Sequence, residues 1–312
     1  AVAALGFAGA AVGFGAASAT SDFATLALLH GLSGVATGAA LSVTHGTIAR
    51  SAGPHRTFAL VGIALGVFAI VFLGGTPVLI AAHGGPVLFV VFAAVMAVGA
   101  LVSALAFPQP DVVAGAAPAE AAGPIPPAVW FGIAGIAGMG LVQAMTFSFL
   151  ERVGSDRGFG LSAVTGVLIA LGIVNLFPAV LAALLERRLA ARSVMLAGPV
   201  LQALLVVVIM NASDFAPYAM AASVFAAVMI FTHTFAFGLL ARLDTSGRAM
   251  AATPAMLMIG AAIGPILGGT LVKAFGYGSL GIAALGIAGV ATFCFSRLPS
   301  PGAAPARQEV PA

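Results

Sequence analysis

The sequence carries little charge and few of the residue types that catalysis requires. Only 7% of its 312 residues are Asp, Glu, Lys or Arg, against about 25% in a typical soluble domain. Its single cysteine, Cys294, excludes an internal disulfide and a metal site built from several cysteines. A Walker-type phosphate loop, paired carboxylates on one helix face and clustered histidines are also lacking. These absences exclude ATP-driven pumping by this chain alone, and we expect no enzyme, no cofactor and no metal.

Apolar residues take the place of the missing charge. The chain is 61% hydrophobic and its mean hydropathy is +1.16, which indicates an all-α protein of the lipid bilayer. Its uncharged apolar runs, each long enough to cross a hydrocarbon core of about 30 Å, are 1–19, 24–49, 57–80, 86–107, 127–150, 159–185, 193–212, 215–241, 249–272 and 278–296. Every charged residue lies between or beyond these runs, so ten membrane helices are predicted.

The basic residues are divided unequally between the two sides of the predicted membrane. One side takes only Arg152, Arg157 and Lys273. The other takes Arg50, Arg56, Arg187, Arg188, Arg192, Arg242, Arg248, Arg297 and Arg307. By the positive-inside rule the richer side is cytoplasmic, which predicts a multi-pass protein of the cell (inner) membrane with a cytoplasmic C-terminus. Topology thus explains the pI near 9.8, and no nucleic-acid partner is expected.

Part of the sequence occurs twice. Ser21-Asp22-Phe23-Ala24 recurs as Ser213-Asp214-Phe215-Ala216, and the same spacing relates Gly6 to Gly198 and Arg56 to Arg248. Six predicted crossings separate the two copies, and because six is even the copies have the same orientation. The repeat is therefore parallel, unlike the inverted five-plus-five repeats of ten-helix drug/metabolite carriers.

The repeat predicts how the chain is organised. Its spacing places the counterpart of run 127–150 before Ala1, so we expect two further helices upstream of an N-terminally truncated first half. Five Pro residues among Ala and Gly in 108–126, with Pro127 directly after them, indicate a linker between the halves. The predicted parts are a four-helix N-terminal half at 1–107, the cytoplasmic linker at 108–126, a six-helix C-terminal half at 127–297 and a cytoplasmic tail at 298–312.

Three motifs resemble those of one transporter family. The loop Glu186-Arg187-Arg188-Leu189-Ala190-Ala191-Arg192 resembles its cytoplasmic acidic-arginine loop, and Leu29 to Gly34 resembles the start of its fourth helix. Residues 260–269 match Gly-x-x-x-Gly-Pro-x-x-Gly-Gly, which the antiporters of that family carry on the fifth helix; here it falls on the equivalent of the eleventh. With the parallel repeat, these motifs make the chain similar to the major facilitator superfamily (MFS), whose fold has two six-helix bundles.

The resemblance implies gating roles for five residues. Glu186, Arg187 and Arg192 would bridge neighbouring helix ends, and Gly264 with Pro265 would let a helix flex. Close helix packing is the alternative for the glycines, and a solvated loop is the alternative for the arginines. In this chain, the equivalent of the family's fifth helix has Ile70-Val71 where the antiporters have Gly-Pro. This difference weakens the implication that the chain is an antiporter.

Polar residues inside lipid-spanning helices usually face a bundle interior or a cavity. On this basis, and on the cavity-lining helices that the resemblance implies, the substrate-binding candidates are His30, Thr37, Gln143, Phe147, Asn175 and His233. Gln202 is expected to be structural, and His45 lies close enough to its helix end to reach the surface. For each of the polar candidates, a hydrogen bond to a neighbouring helix is the alternative interpretation.

The function expected from these features is secondary active transport of a small organic solute by alternating access. Export is preferred over import, with His233 as the candidate for proton coupling, and the partners would be lipid, solute and proton. We expect a monomer. The alternative is a membrane protein that does not transport, either a sensor or a degenerate MFS paralogue.

Overall fold

The computed structural model describes residues 1–49, 51, 54–108, 124–244 and 246–299. Helices and no strands occur among these residues. In chain order the helices are α1 (Val2–Ala17), α2 (Phe23–Ala49), α3 (Pro54–His83), α4 (Val87–Ala106), α5 (Pro127–Asp156), α6 (Leu161–Val174), α7 (Pro178–Leu185), α8 (Ala191–Asn211), α9 (Phe215–Leu243), α10 (Arg248–Ala251), α11 (Thr253–Phe275) and α12 (Gly278–Ser296). Most of the predicted linker at 108–126 and of the tail at 298–312 lies outside the described residues, as do Arg50 and Arg307, so these boundaries stay predictions.

Each of the ten predicted runs corresponds to one helix or to two consecutive helices. Among the described residues, eight helical spans are long and apolar enough to cross a membrane, while Val2–Ala17 and Leu60–Phe72 are shorter apolar segments. Helices satisfy their own backbone hydrogen bonds, which is what a segment without water around it requires. The chain is therefore an integral multi-pass membrane protein.

Two of the runs contain a break that hydropathy does not reveal. Run 159–185 divides into α6 and α7 between Asn175 and Phe177, and run 249–272 divides into α10 and α11 at Ala252. A proline lies just after each break, at Pro178 and Pro254. Proline has no backbone N–H to donate to the preceding turn, so each of these prolines leaves a carbonyl of that turn without its usual helical partner.

The packing within the two halves repeats as the sequence predicts. Helix α1 packs on α2 and α4, and α8 packs in the same way on α9 and α12. A side chain added at Gly6 would meet the Ala40 Cβ at 3.0 Å, and one added at Gly198 would meet the Thr232 hydroxyl at 2.2 Å. Ala40 and Thr232 are themselves related by the repeat spacing, so the same helix crossing occurs twice.

The repeated Ser-Asp-Phe-Ala motif begins α2 and α9. In α2 the Asp22 carboxylate accepts hydrogen bonds from the Thr25 backbone N–H at 2.8 Å and from its hydroxyl at 2.7 Å. These bonds lower the pKa of Asp22. In α9 the position equivalent to Thr25 is Pro217, which has no N–H, and Asp214 makes no side-chain cap. The motif therefore marks both helix starts, but caps only the first.

The two halves meet near the end that carries most arginines, which we call the basic end (the ends of α2, α7, α9 and α12 and the starts of α3, α8 and α10). Helix α2 contacts α10 and α11, and α3 contacts α6 and α7. A side chain added at Gly62 on α3 would meet the Ala179 Cβ at 3.3 Å, and one at Gly46 on α2 would meet the Ala251 Cβ at 3.4 Å. These contacts close the space between the halves at the basic end.

Candidate functional site between the two halves

The break between α6 and α7 presents one candidate, Asn175, next to the first half. Asn175 is the C-cap residue directly after α6, and its neighbour Leu176 contacts α3 at Gly66. The Asn175 side-chain oxygen is buried and has no hydrogen-bond partner. Because buried polar atoms are nearly always partnered, this oxygen can accept a hydrogen bond from a solute.

His233, on α9, lies at a comparable depth. It is ten residues before Leu243, or about 15 Å from the basic end of its helix, and Asn175 is ten residues before Leu185. The His233 Nδ1 is buried near the Met229 carbonyl but makes no hydrogen bond of good geometry. Its ring packs on the Phe237 ring, with 4.9 Å between the ring centroids, and His45 of the first half is near enough for a charge on one imidazole to oppose a charge on the other. His233 therefore lies on the side of the second half that faces the first.

Two candidates on α5 are held by neighbours within the second half. The Gln143 side-chain oxygen accepts a hydrogen bond from the Gln202 amide at 3.0 Å, and the same amide donates to the Met139 carbonyl at 3.2 Å. Gln202 is almost fully buried. One turn further, Phe147 packs edge-on against Phe225 at 5.7 Å and is 39% exposed. The exposed edge of Phe147 can contact a solute, while Gln202 positions Gln143.

The candidates of the first half lie elsewhere. His30 is exposed, and its Nδ1 donates to the Leu26 carbonyl at 2.8 Å. Its ring packs edge-on against Phe14 and Phe89 at 5.9 and 5.3 Å. Because His30 and His45 are fifteen residues apart on α2, they are about 22 Å apart along the axis. His30 therefore does not join the group around His233.

Thr37 donates its hydroxyl proton to the Ser33 carbonyl of its own helix at 2.8 Å. A hydroxyl has one proton, so Thr37 can offer a solute only its acceptor lone pairs. The structure thus leaves Asn175 and His233 as the two substrate candidates with buried atoms that lack partners.

Three of the predicted gating residues, Glu186, Arg187 and Arg192, lie at the basic end. Glu186 and Arg192 contact different helices and do not pair with each other. Glu186 pairs with Arg242 at the end of α9, 2.6 Å away, while Arg192 donates to the Ser296 carbonyl at the end of α12 at 3.1 Å. Arg187 is exposed. Both contacts join helix ends within the second half, and a cation at the C-terminal end of α12 also suits the helix dipole.

The glycine pattern on α11 packs directly against α5. A side chain added at Gly264 would meet the Met145 backbone nitrogen at 2.7 Å, and one at Gly260 would meet the Leu141 backbone nitrogen at 2.4 Å. Pro265 lies inside α11, on its exposed side, without ending the helix. Close packing of α5 and α11 therefore accounts for the two glycines, and flexing at Pro265 stays a prediction.

Sequence reasoning missed several residues that join the halves or the helix ends. His45 does not simply reach the surface, because its Nδ1 is 2.6 Å from the Thr253 hydroxyl of α11. Ser42, one turn earlier, donates to the Ala251 carbonyl at 2.7 Å. The sequence gives one indication of the pair between Arg242 and Glu186, because the predicted topology places both residues on the same side of the membrane. Ser42 and Thr253 carry no comparable signal, because both are common inside membrane helices.

Comparison with known proteins shows the fold. No family model and no curated protein matches the chain. Among solved structures, it is similar to a variant of the E. coli fucose:proton symporter FucP with a TM-score of 0.69 and 14% identity, over 96% of this chain and 83% of that one. A structure of the MFS transporter FucP in the outward conformation gives a TM-score of 0.66, 16% identity, and coverage of 96% and 82%.

The human organic anion transporter MFSD10 is similar at a TM-score of 0.65 and 12% identity, over 94% of this chain and 76% of that one. These similarities, with the repeated packing of α1, α2 and α4 by α8, α9 and α12, define the fold. The chain has the fold of the major facilitator superfamily, as its sequence motifs predict.

Proposed function

We propose that this chain is a secondary active transporter of a small uncharged organic solute, working by alternating access between its two halves. Two buried polar atoms without hydrogen-bond partners carry the proposal, Asn175 Oδ1 and His233 Nδ1; among the described residues the hydroxyl oxygens of Ser33 and Thr292 are the other two. A solute with hydroxyl or amide groups would satisfy both. No Asp, Glu, Lys or Arg lies in the ten apolar runs, so this chain offers an ionic solute no counter-charge at membrane depth.

The arrangement of the halves supports alternating access. If the basic end is cytoplasmic, as the positive-inside rule favours, contacts such as that between Ser42 and Ala251 close the cytoplasmic side. One similar structure is of FucP in the outward conformation. We propose that the chain adopts the corresponding outward state here, and that it opens to the cytoplasm when the contacts at the basic end separate.

Direction and coupling are finer proposals with separate support. Export is favoured by the Gly260 to Gly269 pattern, which resembles one found in MFS antiporters. Proton coupling is favoured by His233, because a histidine alternately exposed to water on two sides can bind and release a proton near physiological pH. The structural similarity to a fucose:proton symporter is compatible with a proton as the coupling ion.

The experiment that tests the proposal is solute flux in proteoliposomes made from the full-length chain with a trapped pH-sensitive dye. Fucose is the first probe, because the similar E. coli protein is a fucose:proton symporter. Other neutral sugars and neutral aromatic alcohols follow. We expect at least one of these solutes to change the luminal pH in the wild-type chain and to lose this effect in Asn175→Leu.

Asn211→Leu is the matched control, since Asn211 is exposed at the far end of α8 and its side-chain amide donates to the Val207 carbonyl of its own helix at 2.8 Å. A correctly folded chain that moves none of these solutes would favour the alternative of a sensor that does not transport.

A further inference from the structure

The two halves meet through two contacts of different chemistry. Helix α3 meets the α6/α7 break through small and apolar groups: a side chain added at Gly66 would meet Leu176 Cδ2 at 2.3 Å. Helix α2 instead meets the α10/α11 break through hydrogen bonds from Ser42 and His45. The contacts described for α3 at this break are van der Waals contacts, whereas those of α2 include directed hydrogen bonds, which must break when the helices separate.

The α10/α11 break supplies acceptors because of a proline. In a continuous helix the N–H of residue 254 would bond the Met250 carbonyl, but Pro254 has no N–H. The Thr253 hydroxyl replaces it and donates to the Met250 carbonyl at 2.7 Å. The break thereby turns a hydroxyl oxygen and a carbonyl toward α2.

This arrangement decides which atom of His45 carries a proton. The single hydroxyl proton of Thr253 is used on Met250, so the Thr253 oxygen can only accept from His45. The His45 Nδ1 must therefore be the donor in the 2.6 Å contact. Ser42 lies three residues before His45, on the same face of α2, and donates to the Ala251 carbonyl.

The approach is close because both sides are small at this point. Gly46 is buried, and a side chain added there would already touch the Ala251 Cβ at 3.4 Å. Thr253 is fully buried. Water is thus excluded from the hydrogen bond between His45 and Thr253. Breaking this bond without replacing it therefore costs more than it would in water.

We propose that Ser42 and His45, bonded to Ala251 and Thr253, form a latch that holds the two halves together at the basic end. The latch opens when that end opens, and the glycine contact of α3 is the surface on which the halves turn. The role of the latch in a transport cycle rests on the proposed function. The latch itself is a statement about distance between the halves and is tested without transport.

The test is a distance measurement by pulsed electron resonance in the full chain reconstituted in lipid. Nitroxide labels are placed at Ser51→Cys in the first half and Leu189→Cys in the second, in a Cys294→Ala background. Both positions lie at the basic end outside the latch, and Leu189 is 39% exposed. Loss of one net hydrogen bond should shift the ratio of short to long distances by about five-fold.

The variants separate the latch from general destabilisation. His45→Leu and Thr253→Val should lengthen the distance, whereas His45→Asn should keep it, because the asparagine amide donates from nearly the place of Nδ1. Thr44→Val is the matched control, since the Thr44 hydroxyl bonds only its own helix, at the Ala40 carbonyl. Unchanged distances in His45→Leu and Thr253→Val would overturn the proposal, and so would equal lengthening in His45→Asn and His45→Leu.

Discussion

The packing of α11 on α5 allows a prediction in which two glycines of one motif respond with opposite sign. A side chain added at Gly260 would lie 2.4 Å from the Leu141 backbone nitrogen and 2.6 Å from the Gly140 carbonyl carbon. These are backbone atoms, which cannot rotate away. A side chain added at Gly269 would have the Phe149 ring edge at 4.0 Å as its nearest neighbour, which is an ordinary contact.

The magnitude follows from these distances. Gly260→Ala has to move the two helices apart by about 1 Å to reach ordinary contact, and overpacking of this kind costs about 1 to 3 kcal/mol. Gly269→Ala meets no obstacle and gains up to about 1 kcal/mol from the better helix propensity of alanine. We therefore expect Gly260→Ala to lower the free energy of unfolding, and Gly269→Ala to leave it unchanged or raise it.

Thermal unfolding of the two purified variants in the same detergent, followed by loss of the monodisperse elution peak, measures this difference. Equal midpoints for both variants would show that α5 and α11 are not packed as closely as the glycine positions require.

Three further predictions concern charged and polar groups. Glu186→Gln should slow transport but leave solute affinity nearly unchanged, since the partly exposed pair with Arg242 contributes about 0 to 1 kcal/mol; a large loss of affinity at equal expression would contradict this. His233→Gln should abolish pH-driven transport while exchange without a gradient survives, as measured by paired flux assays, and equal loss of both would leave only a structural or binding role. Burial raises the pKa of Asp244, but hydrogen bonds from Ser246 and Ala249 outweigh this effect, so the net pKa is lowered from 3.8. The ionised carboxylate should therefore stabilise the fold above that pH, and this stabilisation should disappear as the pH falls below it. When melting is followed against pH, Asp244→Asn should lack the stabilisation at every pH.

Most of the fold could be predicted from the sequence. Runs of apolar residues locate the spans because lipid leaves no alternative partner for the backbone. The parallel repeat follows from one tetrapeptide and its spacing, and the equivalence of Gly6 and Gly198 is confirmed by the way each packs on the next helix.

The helix breaks could not be predicted in the same way, because proline alone does not decide them. Pro178 and Pro254 follow breaks, yet Pro199 and Pro265 lie inside the continuous helices α8 and α11. A proline in a membrane helix is tolerated when neighbouring groups satisfy the freed carbonyl. Hydropathy contains no information about those neighbours.

The candidate site was predicted in part for a related reason. Its polar residues stand out in an apolar sequence, so Asn175 and His233 could be found from composition. Which of them keep unpartnered atoms depends on contacts between distant segments, such as Gln202 with Gln143. Pairs of this kind are set by how the helices pack, and residue type and spacing do not specify them.

In the proposed transport cycle the two halves rock about a central site. Two label pairs in the same full chain measure this motion, and Ser51→Cys with Leu189→Cys reports on the basic end. Ala19→Cys and Ala274→Cys, both exposed, report on the opposite end. We expect His45→Leu to lengthen the first distance and to shorten the second; a change in only one of them, or in both with the same sign, would show that the two halves do not rock as rigid bodies.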